Sequence, residues 1–276
     1  MTLEFSIRFW GVRGSIACPG PQTIRYGGNT PCIEMRCGDR LLIFDGGTGI
    51  RPLGDELMKA DGALDADIFF SHCHVDHVGG LPFFAPFYVK GNAFRLWAGN
   101  LLPALRMEDV MRRLMSHPLF PIDVDAFQAR LDYRDFRAGE TLHPCPGVTM
   151  RTAPLDHPDG ATGYRVEFDG RSVAYLTDIE TRPGGPDPRV VELARNADLA
   201  IYDCTYTEAE IGSKHGWGHS TWNDGLRLAD AAGVKTFCLF HHAPEHDDAV
   251  MDRIAAEAKA ARPGTIVAIE GKVIKL

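Results

Sequence analysis

The feature that most constrains this chain is the stretch SHCHVDH at residues 71–77, which directly follows the apolar run ADIFF. Positions two apart at an extended strand end face the same way, so His72 and His74 can bind one metal ion together. Asp76 and His77 follow after a turn and can serve a second ion nearby. A single histidine is more often a surface or core residue, but this combination indicates a metal site.

Further candidate ligands follow later β-like runs. His157 follows the run that ends in APLD, Asp178 ends VAYLTD, and His241 and His242 end TFCLFHH. Because α/β folds place their sites at the carboxyl ends of strands, we expect these side chains to meet the SHCHVDH motif. Imidazole and carboxylate ligands without a thiolate favour Zn²⁺, with Mn²⁺ or iron as alternatives.

The remaining patterns predict a single α/β domain over residues 1–276. Two groups of mixed strands with helices beside them favour a layered α/β sandwich, and Asp169-Gly170 between two alternating runs predicts a hairpin. The predicted strands are 4–10, 32–36, 40–45, 67–71, 94–98, 147–153, 163–168, 171–178, 198–203, 235–241 and 265–271. The predicted helices lie near 49–60, 77–90, 103–115, 187–196, 220–232 and 247–261.

Charge and cysteine content bear on partners and location. The net charge of −8 argues against an extended nucleic-acid surface, which needs clustered Lys and Arg. The start MTLEFSIRFWG does not resemble a signal peptide, and the apolar runs are too short to span a membrane, so no membrane partner is expected. Seven cysteines without a CxxC pair predict a cytoplasmic protein with free thiols.

The succession of HCHVDH, His157, Asp178 and a terminal histidine resembles the metallo-β-lactamase superfamily, whose structural aspartate matches Asp45 in LLIFDGGTG. The resemblance spans nearly the whole chain and implies a four-layer αββα sandwich of two mixed sheets, with two divalent metal ions at one sheet edge. By this resemblance one ion is held by His72, His74 and His157, the other by Asp76, His77 and His241, and Asp178 bridges them. His242 is the alternative to His241, which the family's L-x-H strand end favours.

A second similarity concerns the branch within that superfamily. The segment GWGHSTW resembles the HST motif of the ribonuclease Z group, and IYDCTYT resembles that group's HEATF segment. This implies that His219 is a catalytic histidine directed at the scissile phosphate and that Asp203 orients it. The alternative for His219 is a loop histidine beside a helix capped by Ser220. The group's long basic arm for tRNA has no counterpart here, so tRNA is not an expected partner.

The sequence therefore predicts a dinuclear-metal hydrolase, foremost a phosphodiesterase for a small phosphodiester such as a cyclic nucleotide. A metal-bridging hydroxide would attack phosphorus, and Asp76 would orient it or accept its proton. A thioester or lactone hydrolase on the same metal core is one alternative, and a non-catalytic metal-binding regulatory module is another. A homodimer is compatible with the resemblance.

Substrate contacts are predicted from the Gly-rich loop at 11–31 and from the neighbourhood of His219. The loop candidates are Arg13, Ser15, Asn29 and Thr30, with turn formation as the alternative role for this loop. Trp217 and Trp222 flank His219 and are further candidates by their position in the sequence.

Overall fold

Two seven-stranded sheets face each other in the computed structural model, which describes residues 4–276. The strand order is β14-β1-β2-β3-β4-β5-β6 in the first sheet and β13-β12-β11-β10-β9-β8-β7 in the second. The strands are numbered along the chain. They are β1 (Phe5–Gly11), β2 (Cys32–Cys37), β3 (Arg40–Phe44), β4 (Asp65–Phe70), β5 (Ala93–Ala98), β6 (Arg130–Asp135), β7 (Thr141–Leu142), β8 (Val148–Leu155), β9 (Ala161–Phe168), β10 (Arg171–Leu176), β11 (Leu199–Asp203), β12 (Thr236–Phe240), β13 (Ile266–Val267) and β14 (Val273–Lys275).

Six α-helices cover the outer faces of the sheets in the described part of the chain. They are α1 (Ile50–Leu57), α2 (Val75–Val78), α3 (Met107–Leu114), α4 (Pro188–Ala194), α5 (Trp222–Ala232) and α6 (Asp248–Ala261). Within residues 4–276, none of the helices combines the length and the apolar character needed to cross a membrane.

Both sheets are mixed. Strands β3 to β6 run parallel in the first sheet, and β10 to β13 run parallel in the second, while their other pairings are antiparallel. The two inner faces share a core that includes the stacked rings of Phe44 and Phe69, 5.2 Å apart. Separate apolar clusters join each sheet to its own helices. The four-layer αββα sandwich predicted from the sequence is confirmed.

One predicted helix is wrong. The segment 77–90 contains only the end of α2 and two 3₁₀ turns, Leu81–Phe83 and Ala85–Tyr88. Pro82 and Pro86 are the second residues of these turns and lack the amide hydrogen that a continuous helix needs. The predicted helix at 103–115 begins only at Met107, and strands β6, β7 and β14 were not predicted.

Candidate metal centre

Several predicted ligands lie within two residues of the carboxyl ends of strands, and two of them adopt an unusual backbone conformation. Asp178 follows β10 with φ +58°, and His241 follows β12 with φ +62°. Asp45, after β3, has φ +60°. A non-glycine residue in this left-handed region costs about 1–3 kcal/mol, and such strain gathers at functional sites. The left-handed backbone turns the chain sharply after each of these strands, which is consistent with side chains that point to a shared centre.

The first group of side chains consists of His72, His74 and His157, whose ring nitrogens lie within 4.8 Å of one another. His157 Nε2 is 3.2 Å from His74 Nδ1, while its Nδ1 lies 2.7 Å from the carbonyl oxygen of Gly218. That carbonyl fixes the ring of His157 from behind and leaves Nε2 directed at the other two histidines. This group has the composition of a three-histidine metal site.

The second group consists of Asp76, His77 and His241. Asp76 Oδ2 lies 3.4 Å from His77 Nε2 and 3.4 Å from His241 Nε2. The backbone N–H of Ser15 donates to the same oxygen over 2.8 Å. The loop 11–31 therefore reaches this group through its backbone.

Asp178 lies between the two groups and turns one oxygen to each. Its Oδ1 is 3.8 Å from His72 Nε2 and 3.7 Å from His157 Nε2. Its Oδ2 is 3.1 Å from His77 Nε2 and 3.5 Å from His241 Nε2. A carboxylate in this position can bridge two cations, one in each group.

The hydrogen bonding of three rings tests whether these residues fit a metal. Nε2 of His72, His77 and His241 is buried without a well-aligned hydrogen-bond partner among the described residues, although buried polar atoms are nearly always bonded. Nδ1 of His72 and of His77 instead contacts Ser71 Oγ, at 3.1 and 3.2 Å, and Nδ1 of His241 contacts Thr205 Oγ1 at 2.9 Å. One nitrogen held by the protein and one left open is the arrangement of metal-binding histidines, so the residues fit divalent metal binding.

The charge states of His72 and Asp178 agree with this arrangement. Burial lowers the pKa of His72 well below its usual range, which keeps the ring in the neutral form that binds metals. Burial raises the pKa of Asp178, but the surrounding His241, His77 and His72 outweigh it and hold that pKa well below its usual range. The aspartate is therefore an anion in the middle of the two groups.

His219 lies beside the metal ligands. Its ring stacks on that of His241, with centroids 5.0 Å apart, and its Nδ1 is 2.8 Å from Oδ2 of the fully buried Asp203. Burial lowers the pKa of His219, but the charge and the hydrogen bond of Asp203 outweigh it and, with Asp178 and Asp76, raise that pKa to about 9. The two residues predicted to act as a pair are thus in contact next to the cluster.

Two glycines that sequence reasoning missed permit the close packing around the ligands. A Cβ atom at Gly14 would lie 2.4 Å from Nδ1 of His241, and one at Gly218 would lie 2.2 Å from Nδ1 of His157. Gly218 also has φ +84°, which L side chains rarely adopt. Both occur in segments that the sequence singled out as loops or motifs, but only the contacts across the fold reveal their role.

Three of the four predicted substrate residues face elsewhere. Arg13 is fully buried, and its guanidinium donates to the carbonyl oxygens of Gly27, Ala243 and His246. Asn29 binds Glu270 and Thr30 binds Thr48 through their side chains. These contacts hold the loop in place, so the expected substrate contacts of Arg13, Asn29 and Thr30 are corrected to structural ones. Ser15 alone reaches the cluster, through its backbone.

The alternatives left open by the sequence are separated by position. His242 Nε2 lies 2.9 Å from the carbonyl oxygen of Ala268, away from both groups, whereas His241 joins the second group. Trp222, the first residue of α5, is buried in the core, so it is not a substrate contact. Trp217 is 55% exposed and packs against Lys214, whose Nζ is 4.1 Å from its ring centroid.

The αββα fold and its histidine–aspartate cluster define a metal-dependent hydrolase. Residues 42–242 match the family model described as "Beta-lactamase superfamily domain", and the chain belongs to that superfamily. It is 26% identical to a ribonuclease Z of Haloarcula marismortui over 97% of this chain and 95% of the relative, which confirms the predicted ribonuclease Z-like branch.

Solved structures share the fold. The metallo-β-lactamase fold protein YhfI from Bacillus subtilis superposes with a TM-score of 0.72 at 19% identity, covering 99% of both chains. A diphosphatase from the PhnP family superposes with a TM-score of 0.70 at 18% identity, covering 100% of this chain and 98% of the other.

Proposed function

We propose that this protein is a dinuclear zinc phosphodiesterase that hydrolyses a small phosphodiester such as a cyclic nucleotide. The observation that carries the proposal is the position of Asp178, whose two oxygens face two separate groups of metal-binding side chains. The contact between His219 and Asp203 beside these groups supports phosphoryl chemistry.

The donor atoms favour zinc. Imidazole and carboxylate groups suit Zn²⁺, and the cluster residues include no cysteine. His72, His74 and His157 would hold one such ion and Asp76, His77 and His241 the other, with Asp178 shared between them. Bound there, the ions would polarise the phosphoryl oxygens and lower the pKa of a water molecule toward neutrality.

Three side chains, those of Asp76, His219 and Asp203, supply the remaining steps of the reaction. Asp76 Oδ2, fixed by the Ser15 amide, orients the attacking water and can accept its proton. His219 donates a proton to the departing alkoxide, which is general acid catalysis. Asp203 holds the ring of His219 by Nδ1 and favours its protonated form. His219 also places positive charge beside the phosphoryl group, where negative charge develops.

Two observations support a small substrate over tRNA. Between His157 and Asp178 the chain forms only β9 and β10, joined at Asp169-Gly170, so no arm extends from this segment. The net charge of −8 also disfavours a long polyanion. RNA processing is the second candidate, because relatives similar over almost the whole chain are named ribonuclease Z.

A substrate screen tests the proposal. Purified protein, with its metal content measured, is assayed on 2′,3′- and 3′,5′-cyclic nucleotides, bis-p-nitrophenyl phosphate, a precursor tRNA, thioesters and lactones. We expect phosphodiester turnover that His219→Ala lowers about 10²–10³-fold at full metal content, while His143→Ala, at an exposed site away from the cluster, changes little. Turnover of thioesters or lactones without any phosphodiester would overturn the proposal, and selective cleavage of precursor tRNA would favour the second candidate.

A cytoplasmic location and a homodimer remain predictions. The location is supported by the seven cysteines, which are all free thiols in the structure.

A further inference from the structure

A pocket of about 500 Å³ adjoins the first group of metal-binding side chains. Its lining includes His72 and His74 on one side and Val110 and Leu114 of α3 on the other. The loop before α3 completes it with Leu101 and Leu105, among others. We call this cavity the α3 pocket. The roles assigned above to the metal ligands and to His219 leave it without a function.

The walls of the α3 pocket are mostly aliphatic. Val75, Val78, Leu101, Ala104, Leu105, Val110 and Leu114 all line it. Val75 is 74% exposed although it is a large apolar residue beside two metal ligands. A concave apolar surface of this size with a few polar groups at its edge is typical of a site for a small molecule.

The charges of the α3 pocket do not select an anion. Arg113 and Asp159 are its lining residues with full charges, and they are of opposite sign. Asp159 Oδ2 lies 3.6 Å from His74 Nε2, which places the negative charge beside the metal ligands. A nucleic-acid chain that continued past the metal ligands into this pocket would bring a further phosphate to side chains that together carry no net positive charge. A neutral apolar group needs no positive charge in order to bind there.

A different pocket, of about 350 Å³, lies beside His219. It is lined by charged residues such as Glu180, Arg182, Glu208 and Arg227, and it shares no lining residue with the α3 pocket among the residues described. A phosphodiester has two ester groups. If the ester oxygen of the leaving group lies at His219, the ester group that stays on phosphorus can bind separately, in the apolar α3 pocket.

We infer that the α3 pocket binds an aryl or alkyl ester group that remains on phosphorus, so that the substrates are phosphodiesters with one apolar ester group. This inference rests on the proposed phosphodiesterase function and narrows its substrates from cyclic nucleotides to diesters whose two ester groups are separate. Water adds its hydroxyl group to phosphorus, the bond from phosphorus to the other ester oxygen breaks, and that oxygen leaves as an alcohol with the remaining proton. The product is a phosphate monoester that carries the apolar group.

Two matched substrates test the inference. Phenyl p-nitrophenyl phosphate and methyl p-nitrophenyl phosphate release the same leaving group and differ only in the group that remains. We expect kcat/KM of the zinc-loaded protein to favour the phenyl ester by about 10–100-fold, the range that burial of an apolar group supports. Leu105→Asn should reduce this preference to about threefold or less while the methyl ester is still hydrolysed. Leu119→Asn, at a residue that is 81% exposed and does not line the pocket, should keep the preference.

Direct binding supplies a second measurement. Diphenyl phosphate should bind at least tenfold more tightly than dimethyl phosphate by calorimetry, and Leu105→Asn should abolish the difference. Ala104→Trp, which fills the pocket from an exposed position, should do the same if Leu105→Asn does not fold.

The failures of the two proposals differ. Equal hydrolysis of both esters, or an unchanged preference in a folded pocket variant, would overturn the inference and leave the phosphodiesterase function intact. No hydrolysis of either ester by fully loaded protein would count against the proposed function. In that case the calorimetric comparison alone decides: a preference for diphenyl phosphate that the variants remove supports the α3 pocket, and no preference overturns it.

Discussion

Nδ1 of His219 lies 2.8 Å from Oδ2 of Asp203, a carboxylate that is fully buried. Asp203 also accepts hydrogen bonds from the backbone N–H groups of Thr205 and Asp178, so its position is fixed from several sides. Bound cations would offset the charges of Asp76 and Asp178, but Asp203 would remain in contact with the ring. We therefore expect Asp203 to favour the protonated form of His219 also when metal is bound.

Replacing Asp203 should change the pH dependence of the reaction. His219 must be protonated to act as an acid, so activity should fall as the pH rises through its pKa, which the contact with Asp203 raises above the ordinary imidazole value. In Asp203→Asn this fall should move toward the ordinary imidazole pKa of about 6.5. The measurement is kcat/KM against pH for a diester with an alkyl leaving group, which needs a proton. An identical alkaline limb in both proteins would contradict the assigned pairing.

Substituting Gly14 should remove metal without unfolding the chain. A methyl group there would lie 2.4 Å from Nδ1 and Cε1 of His241, so the ring must move. Gly14→Ala should therefore weaken metal binding by the second group. The metal content measured by elemental analysis should fall from two ions per chain toward one. Gly212→Ala is the control, because a Cβ atom at Gly212 meets nothing within 4 Å. Full metal content in Gly14→Ala would show that His241 is not a required ligand.

The hydroxyl group of Ser71 should matter although it is not a ligand. Its Oγ contacts Nδ1 of His72 and of His77, and it lies 2.9 Å from Oδ2 of Asp45. Loss of such a supporting contact typically weakens metal binding by about 10–100-fold, which we expect for Ser71→Ala in a competition with a chelator. The exposed Ser213 gives the matched control, Ser213→Ala. If the two variants bound zinc equally well, Ser71 would have no role in orienting the rings.

Zinc should stabilise the folded protein. The ligands follow the ends of β4, β8, β10 and β12 and meet only after folding, so the metal binds the folded state preferentially. At a zinc concentration 100 times Kd, each site adds about 2.7 kcal/mol to the free energy of unfolding. Thermal unfolding of chelated and zinc-loaded protein should show this gain, and Asp178→Asn should lose most of it. An equal gain in Asp178→Asn would place the bound zinc elsewhere.

The sequence predicts the fold well where apolar runs end at polar ligands. The ends of β4, β10 and β12 are marked by hydrophobic strands followed by His72, Asp178 and His241. Strand pairing brings Asp178 and His241 to the same edge of the second sheet, and the packing of the two sheets brings His72 beside them. The segment 77–90 misled the prediction because its aromatic residues have helical spacing. Phe84 and Phe87 are buried as that spacing suggests, yet they pack from 3₁₀ turns.

The parts that the sequence could not provide depend on contacts between distant segments. The destination of the Arg13 side chain is set by carbonyl groups some 230 positions later in the chain. The role of Thr205 is likewise visible only when β11 and β12 lie side by side and its Oγ1 meets His241. Motif spacing records the residues that bind metal but not the neighbours that hold them in place.

Anomalous diffraction at the zinc absorption edge, on crystals of the zinc-loaded protein, tests the central claim most directly. We expect two peaks about 3.5–4 Å apart, one within reach of Asp178 Oδ1 and His72, the other within reach of Asp178 Oδ2 and His77. A single peak, or zinc bound away from Asp178, would contradict that claim.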